Sequence, residues 1–270
     1  TPGTLTTQQI TDAAALTFKF AKNISVDGCG FHALGNAGIN SYAGFQDSTI
    51  KNCSFMDISA NGIQLGDYYH FLDMAHENYA GTDTQNQNFL TKNITIENNY
   101  LSACGVDYFN SCAIGIAFPV NCKVIHNEME NLPYSALHMG WGWAKQEAYV
   151  TKSNLVQYNR VNGIMKKCID GGCLYFLGPC DSGTAAAYGP LDNTSANLSK
   201  IEYNYITGCS NQGIYFDDGA SHYRASKNVI TGIGDDIIRI VADNRHDLKV
   251  DTTYSDKGVH FADFSSFAAA

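Results

Sequence analysis

No stretch of this 270-residue chain is apolar enough to span a bilayer, and no run of basic residues interrupts its acidic balance. The first absence argues against a membrane-spanning segment. With 17 Lys+Arg against 26 Asp+Glu, the second makes nucleic acid and anionic membrane surfaces poor partners. The Thr1-Pro2-Gly3 opening lacks the character of a signal peptide. A mature chain, or a piece of a longer one, is therefore expected.

What is plentiful is cysteine. Nine are many for an intracellular protein of this size, and disulfides are the ordinary use of such richness in secreted chains. The odd number leaves at least one thiol unpaired or paired elsewhere. Five N-x-S/T sequons, at Asn23, Asn52, Asn93, Asn193 and Asn197, are candidate glycosylation sites. Together these signs point to an extracellular, secreted protein.

Internal periodicity sets the fold. One phrase recurs as NISVDGCGF, STIKNCSF, NITIENNYL, KVIHNEM, NLVQYNRV, KIEYNYI and RASKNVI. Its last residues are Phe31, Phe55, Leu101, Met129, Val161, Ile206 and Ile230, separated by 24, 46, 28, 32, 45 and 24 residues. A base coil near 24 residues with loops inserted at fixed points explains every gap. Two residues before each anchor stand Cys29, Cys53, Asn99, Asn127, Asn159, Asn204 and Asn228, and three after stand Leu34, Ile58, Cys104, Leu132, Ile164, Cys209 and Ile233. Chemistry that repeats coil after coil implies stacking at the ~4.8 Å strand spacing, with Asn amides bonded along the axis. The expected fold is all-β: a right-handed single-stranded parallel β-helix of about seven or more coils, one domain over 1–270 with irregular ends at 1–15 and 241–270.

A third apolar row reads Ile39, Ile63, Ile116, Leu137, Leu174, Ile214 and Ile238, and strand alternation turns the following residues outward. Those are Asn40, Gln64, Ala117, His138, Tyr175, Tyr215 and Arg239. They predict an exposed column of amide, imidazole, phenol and guanidinium suited to sugar rings. Long insertions at about 66–92, 140–153 and 178–197 fall between coils, where binding residues commonly sit. The second opens with GWGW and sets Trp141 and Trp143 beside His138.

Glycoside hydrolysis needs two carboxyl groups flanking the scissile bond. Neighbouring coils supply Asp170 in DGGCLYFLG, and Asp217 and Asp218 in GIYFDDG. On one straight strand the register would set Asp170 and Asp217 roughly 20 Å apart, so a catalytic pair requires a bend at Gly171-Gly172 or a different partner for one Asp. The succession GIQLG, YSALHMGWGW, DGGCLYFLG and GIYFDDGASHYRASKNVI is similar to the right-handed β-helix glycoside hydrolases of family 141, which include α-L-fucosidase and xylanase activities. The resemblance spans about residues 16 to 240. It implies catalysis by Asp170 and Asp217, with Asp218 able to share or replace that role. His138, Trp141 and Trp143 would line sugar subsites. Catalytic members of that family are expected to be about twice this long, and Cys173 stands where they carry a small glycine.

The expected ligand is a plant or extracellular polysaccharide or oligosaccharide, and hydrolysis needs no cofactor or metal. Two other readings stay open: a non-catalytic carbohydrate-binding or self-assembling, fibre-forming β-helix, and a polysaccharide lyase built on Arg239 and Asp235-Asp236. The Gly-His-Gly phrase of polygalacturonases is missing. Cys29 and Cys53 share a ladder position in consecutive coils, which brings them within bridging range; stacked free thiols are the alternative. Cys173 and Cys180 flank the mouth of the third insertion and form a second candidate pair.

Overall fold

The structure, a computed structural model, describes residues 14–66, 88, 90–141, 151–178, 198–241 and 247–257. Three parallel sheets of eight, nine and eight strands form its walls. The chain visits them in rotation: Ser25–Asp27 lies in the second sheet, Gly30–Leu34 in the third, Ala37–Ser41 in the first, and Gln46–Lys51 returns to the second. Each strand pairs with its counterpart one turn away, so the fold is a parallel β-helix. Among the described residues no helix is long and apolar enough to cross a membrane.

The register follows from which side chains repeat. Phe31, Phe55, Leu101, Met129, Val161, Ile206 and Ile230 are paired neighbours in the third sheet. All lie in the core, where Phe31 and Phe55 stack at 4.6 Å. Parallel strands buried in this way keep their apolar row only by packing against the rows of the other two walls.

The Asn column is internal. The Asn127 side-chain oxygen accepts both the backbone N–H of Asn99 (3.0 Å) and its side-chain amide (2.9 Å). The same double contact links Asn127 to Asn159, Asn159 to Asn204 and Asn204 to Asn228. Each amide also donates to a carbonyl of the preceding turn, as Asn159 does to Val124 at 2.9 Å. A buried amide that satisfies its donors and its acceptor in this way escapes the penalty of an unpaired polar group.

The residue before each ladder position occupies the left-handed region: Asn52, Asn98, His126, Tyr158, Tyr203, Lys227 and Thr252 have φ between 45° and 59°. This turns the chain from the second wall to the third, with one side chain outside and the next inside. The outer residues stack in their own column. Asn98 donates to Asn52 and Asn52 to Asp27, while the His126, Tyr158 and Tyr203 rings lie nearly parallel at 4.9 and 5.1 Å. Two sequon residues therefore have a structural use, since Asn93 likewise bonds Asp47 and Asn121. Asn23 is exposed, whereas Asn193 and Asn197 lie outside the described residues.

Three expectations are corrected. The third apolar row passes through Ile114, not Ile116: Ile114 pairs with Ile63 and Leu137, so Gly115 rather than Ala117 takes the outward place. Regular stacking runs beyond residue 241, because Leu248–Asp251 and Tyr254–Ser255 add strands to two sheets. Cys29 and Cys53 are free thiols. The Cys53 sulfur takes the place of an Asn oxygen at the ladder's start, accepting the Cys29 N–H at 3.4 Å and donating to Lys51 O at 3.0 Å, while Cys29 points to Asp27 O. Cys173 is free as well, buried beside Cys209 in a position filled elsewhere by Gly62, Ala113, Ala136 and Gly213. Cys180 lies outside the described residues, as does most of each predicted insertion.

Candidate active site

The first wall aligns Gln64, Gly115, His138, Tyr175, Tyr215 and Arg239 by direct strand pairing. His138 stacks on Tyr175 at 4.9 Å, Tyr175 lies 5.1 Å from Tyr215, and the Arg239 guanidinium sits 5.3 Å over the Tyr215 ring. Trp141 closes on His138 edge-on at 5.7 Å, and Tyr134 on Tyr175 at 6.3 Å.

This column is covered, contrary to the exposed platform expected. Asn40, Gln64, His138, Tyr175 and Tyr215 are all buried, as are Ala117 and Trp141; only Arg239 keeps its side chain 39% exposed. Alternation correctly gives the direction of each side chain, but planar groups one rung apart shield one another's faces. Trp143 lies outside the described residues.

Burial dictates the chemistry of the column. It pushes the His138 imidazole down to about 3, so the ring is neutral at ordinary pH. It drives the Tyr175 phenol far above its usual range, with further contributions from Tyr134, Asp217 and Asp170. Tyr215 moves the same way, first by burial and then through the charges of Asp217 and Asp170, with Arg239 pulling back. Both phenols remain protonated, and Tyr175 acts as a donor.

One of the candidate carboxylates touches these phenols. Tyr175 donates to Asp217 Oδ2, and the Asp217 charge also bears on the Tyr215 phenol. Asp217 is fixed by its own N–H, which donates to Phe176 O at 2.8 Å. Asp218 is half-buried, and its carbonyl oxygen accepts the Gly178 N–H at 2.9 Å. Asp170 is exposed, yet its charge bears on both phenols.

A bend makes this possible. Gly171 has φ 126°, which side-chain-bearing residues rarely adopt, and a Cβ there would lie 2.7 Å from the Tyr134 ring. A Cβ on Gly172 would meet the Tyr215 Cβ at 2.9 Å. Asn211 from the next coil clamps the bend, donating to Ile169 O at 2.5 Å and Gly171 O at 3.1 Å. The chain is therefore not a straight strand through Gly171. Tyr134 and Asn211 went unnoticed in the sequence because neither falls in a repeating column facing the site.

A scan against protein-family models finds no match, and a search of curated proteins finds none. Among solved structures, a chain titled glycoside hydrolase aligns with a TM-score of 0.57 at 20% identity. The alignment covers 90% of this chain and 37% of that one, so this chain spans well under half the length of its structural neighbour. At that identity the likeness speaks for a shared fold.

Proposed function

We propose that this chain carries the sugar-cleaving wall of a secreted glycoside hydrolase of the family 141 type, acting on plant or extracellular polysaccharide through Asp170 and Asp217. The observation that supports the reading is the Asp217 carboxylate held by the buried Tyr175 phenol, beside the Gly171 bend that carries Asp170. Two carboxyl groups around a scissile bond are the minimal equipment for glycoside hydrolysis. The substrate is an uncharged glycan, since Asp170, Asp217, Asp218 and Asp235 outnumber Arg239, which is already drawn toward Asp235 at 4.0 Å. The neighbour's title supports a carbohydrate ligand in general terms.

The test is a panel of neutral polysaccharides and aryl glycosides, read by new reducing ends. Turnover by the native chain is expected, with Asp170→Asn and Asp217→Asn each losing roughly 10²- to 10⁴-fold and keeping their circular dichroism spectra. Glycan binding without any new reducing ends would favour the non-catalytic reading instead.

A further inference from the structure

Cations that stand far apart in the sequence meet on the outer face of the second wall. Strand pairing sets Lys123, Leu155, Lys200, Arg224 and Lys249 in one registered row, although its four cations lie 77, 24 and 25 residues apart along the chain. The residues that follow the first four, Val124, Val156, Ile201 and Ala225, fill the core, so alternation turns the row outward. Adjacent rungs of a sheet are about 4.8 Å apart. Lys200, Arg224 and Lys249 therefore stack as three like charges in direct register. Like charges facing each other across neighbouring strands destabilise a sheet, and a position that breaks a stability rule is where a function is to be sought.

The acids nearby do not consume this charge. Glu202 accepts from Gln157 and from Ser226, each at 3.0 Å, and Asp251 pairs with Arg224 at 3.0 Å. Asp247 faces His222 at 3.4 Å. Among the described residues Lys123, Lys200 and Lys249 enter no ion pair. On a chain of formal net charge -9, the row is a local field of opposite sign.

We propose that this row binds a linear acidic polysaccharide laid along the solenoid axis. The row is one side chain wide. Glu202 and Asp251 stand two residues further along the same strands, and Asp247 two residues before Lys249. A single narrow chain with one carboxylate per sugar can follow the cations, whereas a nucleic-acid duplex or an anionic membrane would also meet those acids. The second wall thus anchors the protein to an acidic glycan that the acid-rich first wall disfavours as substrate. This inference stands apart from the glycosidase reading, because the row can hold a polymer that the chain does not cut.

Calorimetric titration of the native chain at low salt tests this, with polygalacturonate, its neutral methyl ester and single-stranded polythymidylate as probes. Polygalacturonate is expected to bind, and to bind more weakly as added salt screens the row; the ester is expected not to bind. Lys200→Glu combined with Lys249→Glu is expected to raise Kd roughly 10-fold or more. Lys19→Glu combined with Lys167→Glu makes the same change in net charge at exposed positions away from the row, and is expected to bind as the native chain does. Should the row variant fail to fold, Lys123→Glu, on an exposed side chain of the same row, takes its place. The inference is overturned if the native chain ignores polygalacturonate, if the ester binds equally well, or if the row and control variants bind alike. Tighter binding of polythymidylate than of polygalacturonate would overturn it too, by making the occupant a nucleic acid.

Discussion

Gly171 turns so tightly against Tyr134 that a single added carbon would lie 2.7 Å from the ring. Gly171→Ala must either push the ring aside or straighten the bend. The expected cost is about 1–3 kcal/mol in stability, read from urea unfolding. Activity is expected to fall further than stability, because Asp170 rides on the same bend. Full activity in this variant would show that the bend does not set the carboxylate geometry.

Asn159 accepts two hydrogen bonds from Asn127 and donates to Val124 and Asn204. Replacing it by Ala strands several buried partners at once. At about 1–3 kcal/mol for each unsatisfied group, the loss is expected to reach about 3–5 kcal/mol. Asn228, the last Asn of the column, is expected to cost less on the same substitution. Equal urea midpoints for the two variants would contradict a cooperative ladder.

His138 is held neutral by burial, with its ionisation pushed down to about 3. The unfolded chain binds a proton near pH 6.5 while the folded chain does not. Stability from this group is therefore complete above about pH 6.5 and drains away as pH falls toward 3. The full loss is on the order of 4–5 kcal/mol. His138→Phe is expected to flatten the acid side of a plot of urea midpoint against pH. An unchanged slope would mean that His138 does not carry the effect.

Burial pushes the Cys104 and Cys122 thiols up to about 12. Among the eight cysteines described, only Cys29 is exposed and Cys168 half-buried. Brief iodoacetamide treatment of the native protein is expected to label Cys29 first and Cys168 slowly, sparing the rest until denaturant is added. Peptide mass mapping reads this directly. Recovery of a Cys29–Cys53 linked peptide from the native protein would reverse the correction made above.

The solenoid was legible because its evidence is redundant: seven anchors and five Asn residues each vote for the same register. In the coil where Ile114 and not Ile116 holds the row, the preceding loop hides the two-residue offset. The site was less legible for a different reason. Counting along a strand assumes straight chain, and the single φ of Gly171 breaks that assumption. Alternation shows that Tyr175 and Tyr215 point outward but not that rings one rung apart shield each other. Shared ladder position likewise sets Cys29 beside Cys53 without fixing which way either sulfur turns.

Along the Asn column the side-chain links run in one sense only: from Asn99 to Asn204 each amide donates to the Asn oxygen of the following coil, and each of those oxygens faces back. Five amide dipoles thus lie head to tail inside an apolar core. Their internal partial charges cancel, leaving a negative end beside Cys53 and a positive end beyond Asn228, much as a helix accumulates its macrodipole. Described residues almost without helical turns have in this way an axial electric polarity of their own. Coupled dipoles of this kind strengthen one another, so the Cys53 end and the Asn228 end of the column differ electrically.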